Sequence, residues 1–443
     1  MMVEKISVDV VIKGGMVLAM EDKGVIENGG VATSGDSILF VGSSKEVEAR
    51  FSAAAEIDAS GCVVMPGLIN GHTHAAMTLF RGIADDLPLD QWLNQYIFPA
   101  EAKNLSDEFV YWGTKLAILE MLLGGTTTFC DMYLFEDSAA RAAKEMKMRG
   151  VLGEVLYNFP SPNYGPLEEG FRYTEAFIQK WRGDPLIFPS VQPHGLDTCS
   201  PDLLIQSKEL ADRFGVPLVV HVAESKANVD YVKNRYGKSS FRYLDDLGVL
   251  SKRFVADHAV WVDLEEMEIM AERGVKVITN PESNMKLASG LAPIHRYIEK
   301  GIVVGLGTDG CASNNNLDLF GEMDTLAKLH KIYDQDPTHM DAFRVLNLAT
   351  ICGAQAFGLE DRIGTLRAGK KADIIVIDFN KPHLTPLYNP FSHLVYAALA
   401  SDIRDVMVNG EILVRERKLK QADQEEILAK AREVSKKVNG IRT

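Results

Sequence analysis

Two histidines one residue apart close an apolar run, Val63-Val64-Met65-Pro66-Gly67-Leu68-Ile69-Asn70-Gly71-His72-Thr73-His74. In an extended backbone residues i and i+2 point to one side, so His72 and His74 can present both imidazoles to the same point. Imidazole is the commonest side-chain metal ligand. An isolated His-x-His is common by chance; this one gains weight from further polar residues, each at the end of an apolar run. His194 follows 187–192, His221 and Glu224 follow 217–220, Asp257 and His258 follow 254–256, and Thr308-Asp309 follows 302–306. Two histidines from the first run, His221 from the fifth and Asp309 from the eighth make a nitrogen-and-carboxylate site without a thiolate. Such a site suits Zn²⁺ or another borderline divalent ion, with a position open to water. A bound divalent ion brings the pKa of that water to about 7. Asp309 would touch the ion and accept the water's proton, and His258 would orient the hydroxide. Glu224, three residues past His221, would reach the far side of a substrate and deliver a proton. The chemistry is that of a metal-assisted hydrolytic displacement.

Positioning these groups takes a regular scaffold. From residue 67 short apolar segments alternate with helical patterns, which reads as βα units around a parallel sheet. Eight strands are expected, at 63–70, 126–130, 150–157, 187–192, 217–220, 254–256, 275–279 and 302–306. Helices fit between them, including 109–123 and 201–214, the latter with Ser200 as N-cap. Eight βα units imply a (β/α)8 TIM barrel, whose active site lies at the C-terminal ends of its strands. His72, His74, His194, His221 and His258 all fall at such ends; the other five histidines fall on helices or loops and read as solvated or packing. Residues 6–20 read as a hairpin broken at Gly14-Gly15, and 29–43 as two more short strands. A strand at 374–378 and a hairpin over 406–414 turning at Asn409-Gly410 bring the β character back after the barrel. The expected organisation is a small β domain from 1–66 and 365–420, a hydrolase domain over 67–364, and a charged C-terminal helix over 421–443.

Composition bounds the function. The chain has 443 residues, 46% apolar and 24% charged, which fits a globular protein. A net charge of −14 argues against a nucleic-acid or anionic-membrane surface, though not against a neutral nucleoside. Five scattered cysteines without Cys-x-x-Cys fit a reducing compartment. Residues 1–12 lack the apolar stretch of a signal peptide, and no apolar run is long enough to span a bilayer. These features read as cytoplasmic.

The ligand residues, in this order on these strands, resemble the metal-dependent amidohydrolase superfamily over nearly the whole chain. More narrowly, the chain is similar to the 5′-methylthioadenosine/S-adenosylhomocysteine deaminases. The residues carrying that likeness are Gly71-His72-Thr73-His74-Ala75-Ala76-Met77, Arg81-Gly82-Ile83-Ala84-Asp85-Asp86, Pro99-Ala100-Glu101, Gly124-Gly125-Thr126-Thr127-Thr128, His221-Val222-Ala223-Glu224, Ser283-Asn284-Met285-Lys286-Leu287-Ala288-Ser289-Gly290 and Gly307-Thr308-Asp309-Gly310. The resemblance implies a β-sandwich flanking the barrel and one divalent metal, zinc first and Fe²⁺ or Mn²⁺ next, on His72, His74, His221 and Asp309. It implies that Glu224 protonates purine N1 and that His258 and Asp309 activate the water attacking C6. It also implies that His194 hydrogen-bonds the purine, that Glu101 accepts from the ribose 2′- and 3′-hydroxyls, and that the subunits form a dimer or tetramer. Trp92, nine residues before Glu101, would pack on the substrate.

One departure matters. Relatives that favour S-adenosylhomocysteine hold its carboxylate with arginines from the third strand onward. Here that stretch reads Arg149-Gly150-Val151-Leu152-Gly153-Glu154-Val155-Leu156-Tyr157. Arg149 lies at the wrong end of the strand and reads as a surface charge, and Glu154 would repel a carboxylate if it faced inward. The expected substrates are therefore 5′-methylthioadenosine, 5′-deoxyadenosine or adenosine ahead of S-adenosylhomocysteine. The rival readings are a hydrolase of an s-triazine or another aminated or chlorinated heterocycle, and a non-catalytic scaffold.

Overall fold

A computed structural model describes residues 5–436 and 438. The chain falls into two compact units. One gathers the residues up to Ile69, Glu120–Thr128 and Asp318–Asp423; the other gathers Asn70–Leu119, Phe129–Leu317 and the residues from Gln424 onward.

The first unit is built on a nine-stranded sheet that joins both ends of the chain. Ile6–Val17 pairs with Ile26–Ser34 on one side and with Phe51–Asp58 and Cys62–Pro66 on the other. Ile374–Asp378 then runs antiparallel to Cys62–Pro66, followed by Ile403–Val408 and Glu411–Arg415. Two expectations are corrected here. Residues 6–17 form one continuous strand, not a hairpin. Gly14, at φ +84°, makes a bulge against Ile26–Ser34 instead of a turn. The expected strand 63–70 divides at Gly67, where a Cβ would lie 2.1 Å from the Thr127 hydroxyl, so Val63–Met65 belong to this sheet and Leu68–Thr73 is a separate strand. Asn409 (φ 51°) and Gly410 (φ 82°) turn the predicted hairpin.

The second unit is α/β and carries the candidate site. Leu68–Thr73, Thr126–Tyr133, Arg149–Leu156, Ile187–Pro189 and Gln192–Pro193 form a five-stranded sheet; Leu218–Val222, Phe254–His258, Lys276–Thr279 and Val304–Leu306 form a four-stranded one. Strands of the latter pair in parallel in chain order. Parallel bridges Val191↔Leu218 and Gly195↔His221 connect the two sheets. The predicted fourth strand appears as two short pieces around Ser190-Val191. Thr126–Tyr133, Arg149–Leu156 and Phe254–His258 are buried at every position, as expected of strands covered on both faces.

Helices follow their sequence signals. Pro201–Phe214 starts where the Ser200 hydroxyl accepts from the Leu203 N–H. Gln424–Ser435 buries Ile427, Ala431 and Val434, spaced for one helical face, and the last two join a cluster with Phe80, Trp92 and Phe109. Residues 437 and 439–443 of the expected C-terminal helix lie outside the described residues. Among the described residues no helix is long and apolar enough to cross a membrane, and none of the five cysteines is in a disulfide.

Candidate active site

Two side chains tie the first and last strands of the second unit at their C-terminal ends. Asn70 Nδ2 donates to the Thr308 hydroxyl at 2.8 Å, and the Thr308 N–H donates to Asn70 Oδ1 at 3.1 Å. The Asp309 N–H then donates to the His72 carbonyl at 2.9 Å. Asp309 is thereby placed beside His72 and His74 from 235 residues further along the chain. Its backbone is left-handed (φ 64°), as are those of Ala223 (φ 52°) and His258 (φ 68°), an unfavourable state for non-glycine residues that clusters at functional sites.

Four of these side chains aim one lone pair each at a common point. His74 Nδ1 donates to the Met132 carbonyl at 2.5 Å, and His221 Nδ1 donates to the His194 carbonyl at 2.7 Å. A carbonyl oxygen only accepts, so Nδ1 carries the proton in both rings and Nε2 is a bare donor of electrons. His72 Nδ1 lies 3.0 Å from Asp257 Oδ2, a charge contact that favours a proton on Nδ1 of the third ring as well. His72 Nε2 is 3.1 Å from His221 Nε2 and 3.6 Å from Asp309 Oδ1; His74 Nε2 is 3.2 Å from Asp309 Oδ1. Ligands about 2.05 Å from a tetrahedral zinc are about 3.3 Å apart. The spacing is that of a coordination shell, and without a cation such convergence is repulsive. His72, His74 and His221 form one potential metal-holding group, and His72, His258 and Asp309 form another.

Burial and charge tune the set. Burial alone would lower His72, but Asp257 and Asp309 outweigh it and push it up to about 10, the response of a site arranged for positive charge. Burial would raise Asp309, yet the His72 and His74 rings set against it hold it well below the usual carboxylate range. Its Oδ2 accepts from the Ser283 hydroxyl at 2.7 Å and its Oδ1 from the Gly310 N–H at 2.7 Å. Burial and the surrounding imidazoles hold His221 far below the usual histidine range. His258 Nδ1 donates to Asn284 Oδ1 at 2.8 Å, which leaves its Nε2 free to take a proton.

The remaining sequence candidates, Trp92, Glu101, His194 and Glu224, line one cavity with His74, His221, His258 and Asp309. Burial raises Glu224. Burial also pushes Glu101 up to about 7, against a hydrogen bond from Tyr133. Burial lowers His194 to about 4, and its Nδ1 meets the Thr198 hydroxyl at 2.9 Å. Trp92 is 5% exposed. Phe98 and Tyr157 stand edge-on to His194.

Arg149 and Glu154 face elsewhere. Arg149 is 1% exposed, not a surface charge, and donates to the Pro185 carbonyl at 3.0 Å. Glu154 is fully buried and accepts from the Phe135 and Glu136 N–H groups and from Asn163. Neither lines the cavity.

Several supporting residues were given no role by the sequence alone. Asp257 orients His72 from inside its strand; the signal was an acid in the apolar run Phe254-Val255-Ala256. Asp131 Oδ1 accepts from the Thr73 hydroxyl (2.8 Å) and the Ala75 N–H (2.6 Å), gripping both neighbours of His74. Its signal was its place at the end of the second strand. Ser283 and Asn284, which hold Asp309 and His258, carried no signal beyond the family motif.

Residues 63–413 match the model of the Amidohydrolase family. The chain is 53% identical over 431 residues to the 5-methylthioadenosine/S-adenosylhomocysteine deaminase of Syntrophobacter fumaroxidans, covering 97% of this chain and 98% of that one. It is 45% identical to the 5′-deoxyadenosine deaminase of Methanosarcina mazei, with 97% and 98% covered. Its structure superposes on a zinc-bound adenosine deaminase from Xanthomonas campestris with a TM-score of 0.97 at 37% identity, covering 98% and 99% of the two chains.

Proposed function

This chain belongs to the amidohydrolase family, and we propose that it is a metal-dependent deaminase converting a 5′-modified adenosine and water into the corresponding inosine and ammonia. The observation that carries the reading is the convergence of three Nε2 lone pairs and one carboxylate oxygen at ligand spacing, in a cavity that also holds Glu101, His194 and Glu224. Full-length likeness to deaminases of 5′-modified adenosines supports it.

We assign the metal site to His72, His74, His221 and Asp309, with zinc as its first occupant. A divalent ion there supplies a hydroxide nucleophile at neutral pH. The protein does the rest. Neutral His194 holds the purine, and Glu101 accepts from the ribose diol, two carboxylate oxygens for two hydroxyls. Trp92 packs on the nucleoside. Glu224, drawn toward its protonated form by burial, gives its proton to N1, which makes C6 electrophilic. His258 Nε2 orients the attacking oxygen, and Asp309 takes its proton and passes it to the departing amine. In the same reading the two sheets of the second unit close into a (β/α)8 barrel over 67–364, flanked by a sandwich from 1–66 and 365–420 and followed by a helix over 421–443. The enzyme is taken to be cytoplasmic and a homo-oligomer, dimer or tetramer, on the strength of its composition and its family.

The test is ammonia release together with the adenosine-to-inosine absorbance change, using metal-loaded protein. 5′-Methylthioadenosine, 5′-deoxyadenosine, adenosine and S-adenosylhomocysteine are compared side by side. Turnover of at least one of the first three is expected; no turnover of any of the four overturns the reading.

A further inference from the structure

The cavity opens into a wider outer hollow, and the residues common to both mark the way out. Leu89, Leu93, Phe98, Asp197, Asn228 and Leu287 line both spaces, whereas His74, His221, His258 and Asp309 line the inner one alone. A nucleoside with its base at the histidine cluster therefore sends its 5′ chain past the shared residues.

The charges along that path are one-sided. The inner wall holds Glu101, Glu224, Asp309 and Asp197 and neither lysine nor arginine. Asp309 is engaged by the cluster, and Glu101 and Glu224 face the nucleoside. Asp197 is the carboxylate at the exit; its Oδ2 accepts from Asn228 Nδ2 at 2.9 Å. Cations enter only in the outer hollow. There Lys286 is bonded to Asp85 and Asn315, and Lys226 shares the wall with Asp86 and Asp90.

Resting on the deaminase reading, we propose that the exit selects by charge. It accepts adenosines whose 5′ chain is neutral or cationic and rejects a short anionic chain, with Asp197 as the specificity-determining residue. A neutral thioether or alkyl chain buries itself on Leu89, Leu93 and Phe98. An ammonium meets Asp197 beside the Phe98 ring. A carboxylate there gives up water and meets a like charge with no cation to repay it.

Three adenosines of similar chain length separate these cases: 5′-ethylthio, 5′-(2-aminoethyl)thio and 5′-(carboxymethyl)thio. The kcat/KM of deamination for the anionic compound should fall about 10- to 100-fold below the neutral one, the scale of a like charge about 6–12 Å away at an effective dielectric constant of about 20. The cationic compound should equal or exceed the neutral one. Asp197→Asn keeps an acceptor for Asn228, and it should shrink the cation-to-anion ratio about tenfold or more. Equal turnover of anionic and neutral compounds, or a ratio unmoved in Asp197→Asn, overturns the proposal. Failure to deaminate any of the three, or adenosine itself, removes the deaminase reading and the proposal with it.

Discussion

Asp257→Asn isolates what a buried carboxylate does for a proposed metal ligand it touches through the back of the ring. Asp257 Oδ2 lies 3.0 Å from His72 Nδ1, and both side chains are fully buried. The carboxylate favours the tautomer that exposes Nε2, and its charge makes the ring a stronger donor. Asparagine nearly matches its shape and can still accept from Nδ1–H, but it removes the charge. Partners of this kind are worth about 10- to 100-fold in metal affinity, or about 1.4–2.7 kcal/mol. Asp257→Ala should cost more, because it also frees the ring to rotate. The assay is competition for zinc against a chelator of known affinity, with folding checked by thermal melting and kcat measured on fully loaded protein. A loss of affinity with kcat per bound metal within a few-fold of the parent is expected. Unchanged zinc affinity in both variants would refute the assignment of His72 as a ligand oriented by Asp257.

Glu101→Ala should raise KM for nucleosides about 10- to 100-fold with a smaller effect on kcat, as expected for losing two hydrogen bonds to a charged acceptor. Because burial pushes Glu101 up to about 7, it loses its charge on acidification, and kcat/KM should fall as pH drops through about 7. The fall should be missing in Glu101→Gln, as pH–rate profiles would show. Glu224→Gln should lower kcat by about 10²- to 10⁴-fold with zinc content unchanged by elemental analysis; an active variant would remove Glu224 as the proton donor. Asp131→Ala unpairs the Ala75 N–H and leaves the Thr73 hydroxyl with the Cys130 carbonyl alone. It should cost about 2–5 kcal/mol in denaturant unfolding and weaken zinc retention; unaltered retention would show that His74 is placed without it.

The parts legible in the sequence share one property: each interrupts a strong local pattern. His72, His74, His221, His258 and Asp309 stand where apolar runs stop, and a run that stops at a polar group with metal-ligating chemistry is a signal any window can see. Helix starts such as Ser200 were legible for the same reason. What stayed hidden depends on partners distant in the chain. Asp257 looks like an interruption of a core strand until His72 is set beside it. Asp131 and Glu154 are acids that each accept from backbone N–H groups as well as a side chain, and backbone geometry leaves no trace in composition. Gly14 read as a turn because a glycine that allows a bulge and one that allows a hairpin are the same letter. The break at Gly67 was missed because the apolar character runs on from Val63 to Ile69, and only the close approach of Thr127 shows why the strand must end there.

The strained residues give the site its logic. A βα unit places a side chain at a strand end only to the accuracy of the strand, but four lone pairs must meet within about the length of one hydrogen bond. Ala223, His258 and Asp309 adopt left-handed backbone at or just past the ends of their strands, which redirects the chain there. Each such residue costs about 1–3 kcal/mol and persists only if its surroundings hold it. Those surroundings can be named. The Val260 and Trp261 N–H groups donate to the Ala223 carbonyl, and Asn284 receives the His258 ring. The His72 carbonyl, Ser283 and Gly310 hold Asp309 from three directions. The supporting bonds come from different βα turns, so a substitution in one turn loosens a proposed metal ligand or proton carrier in another. For that reason Ser283, Asn284 and Asp257, which touch no substrate in the proposed mechanism, belong to the same functional unit as the residues that do.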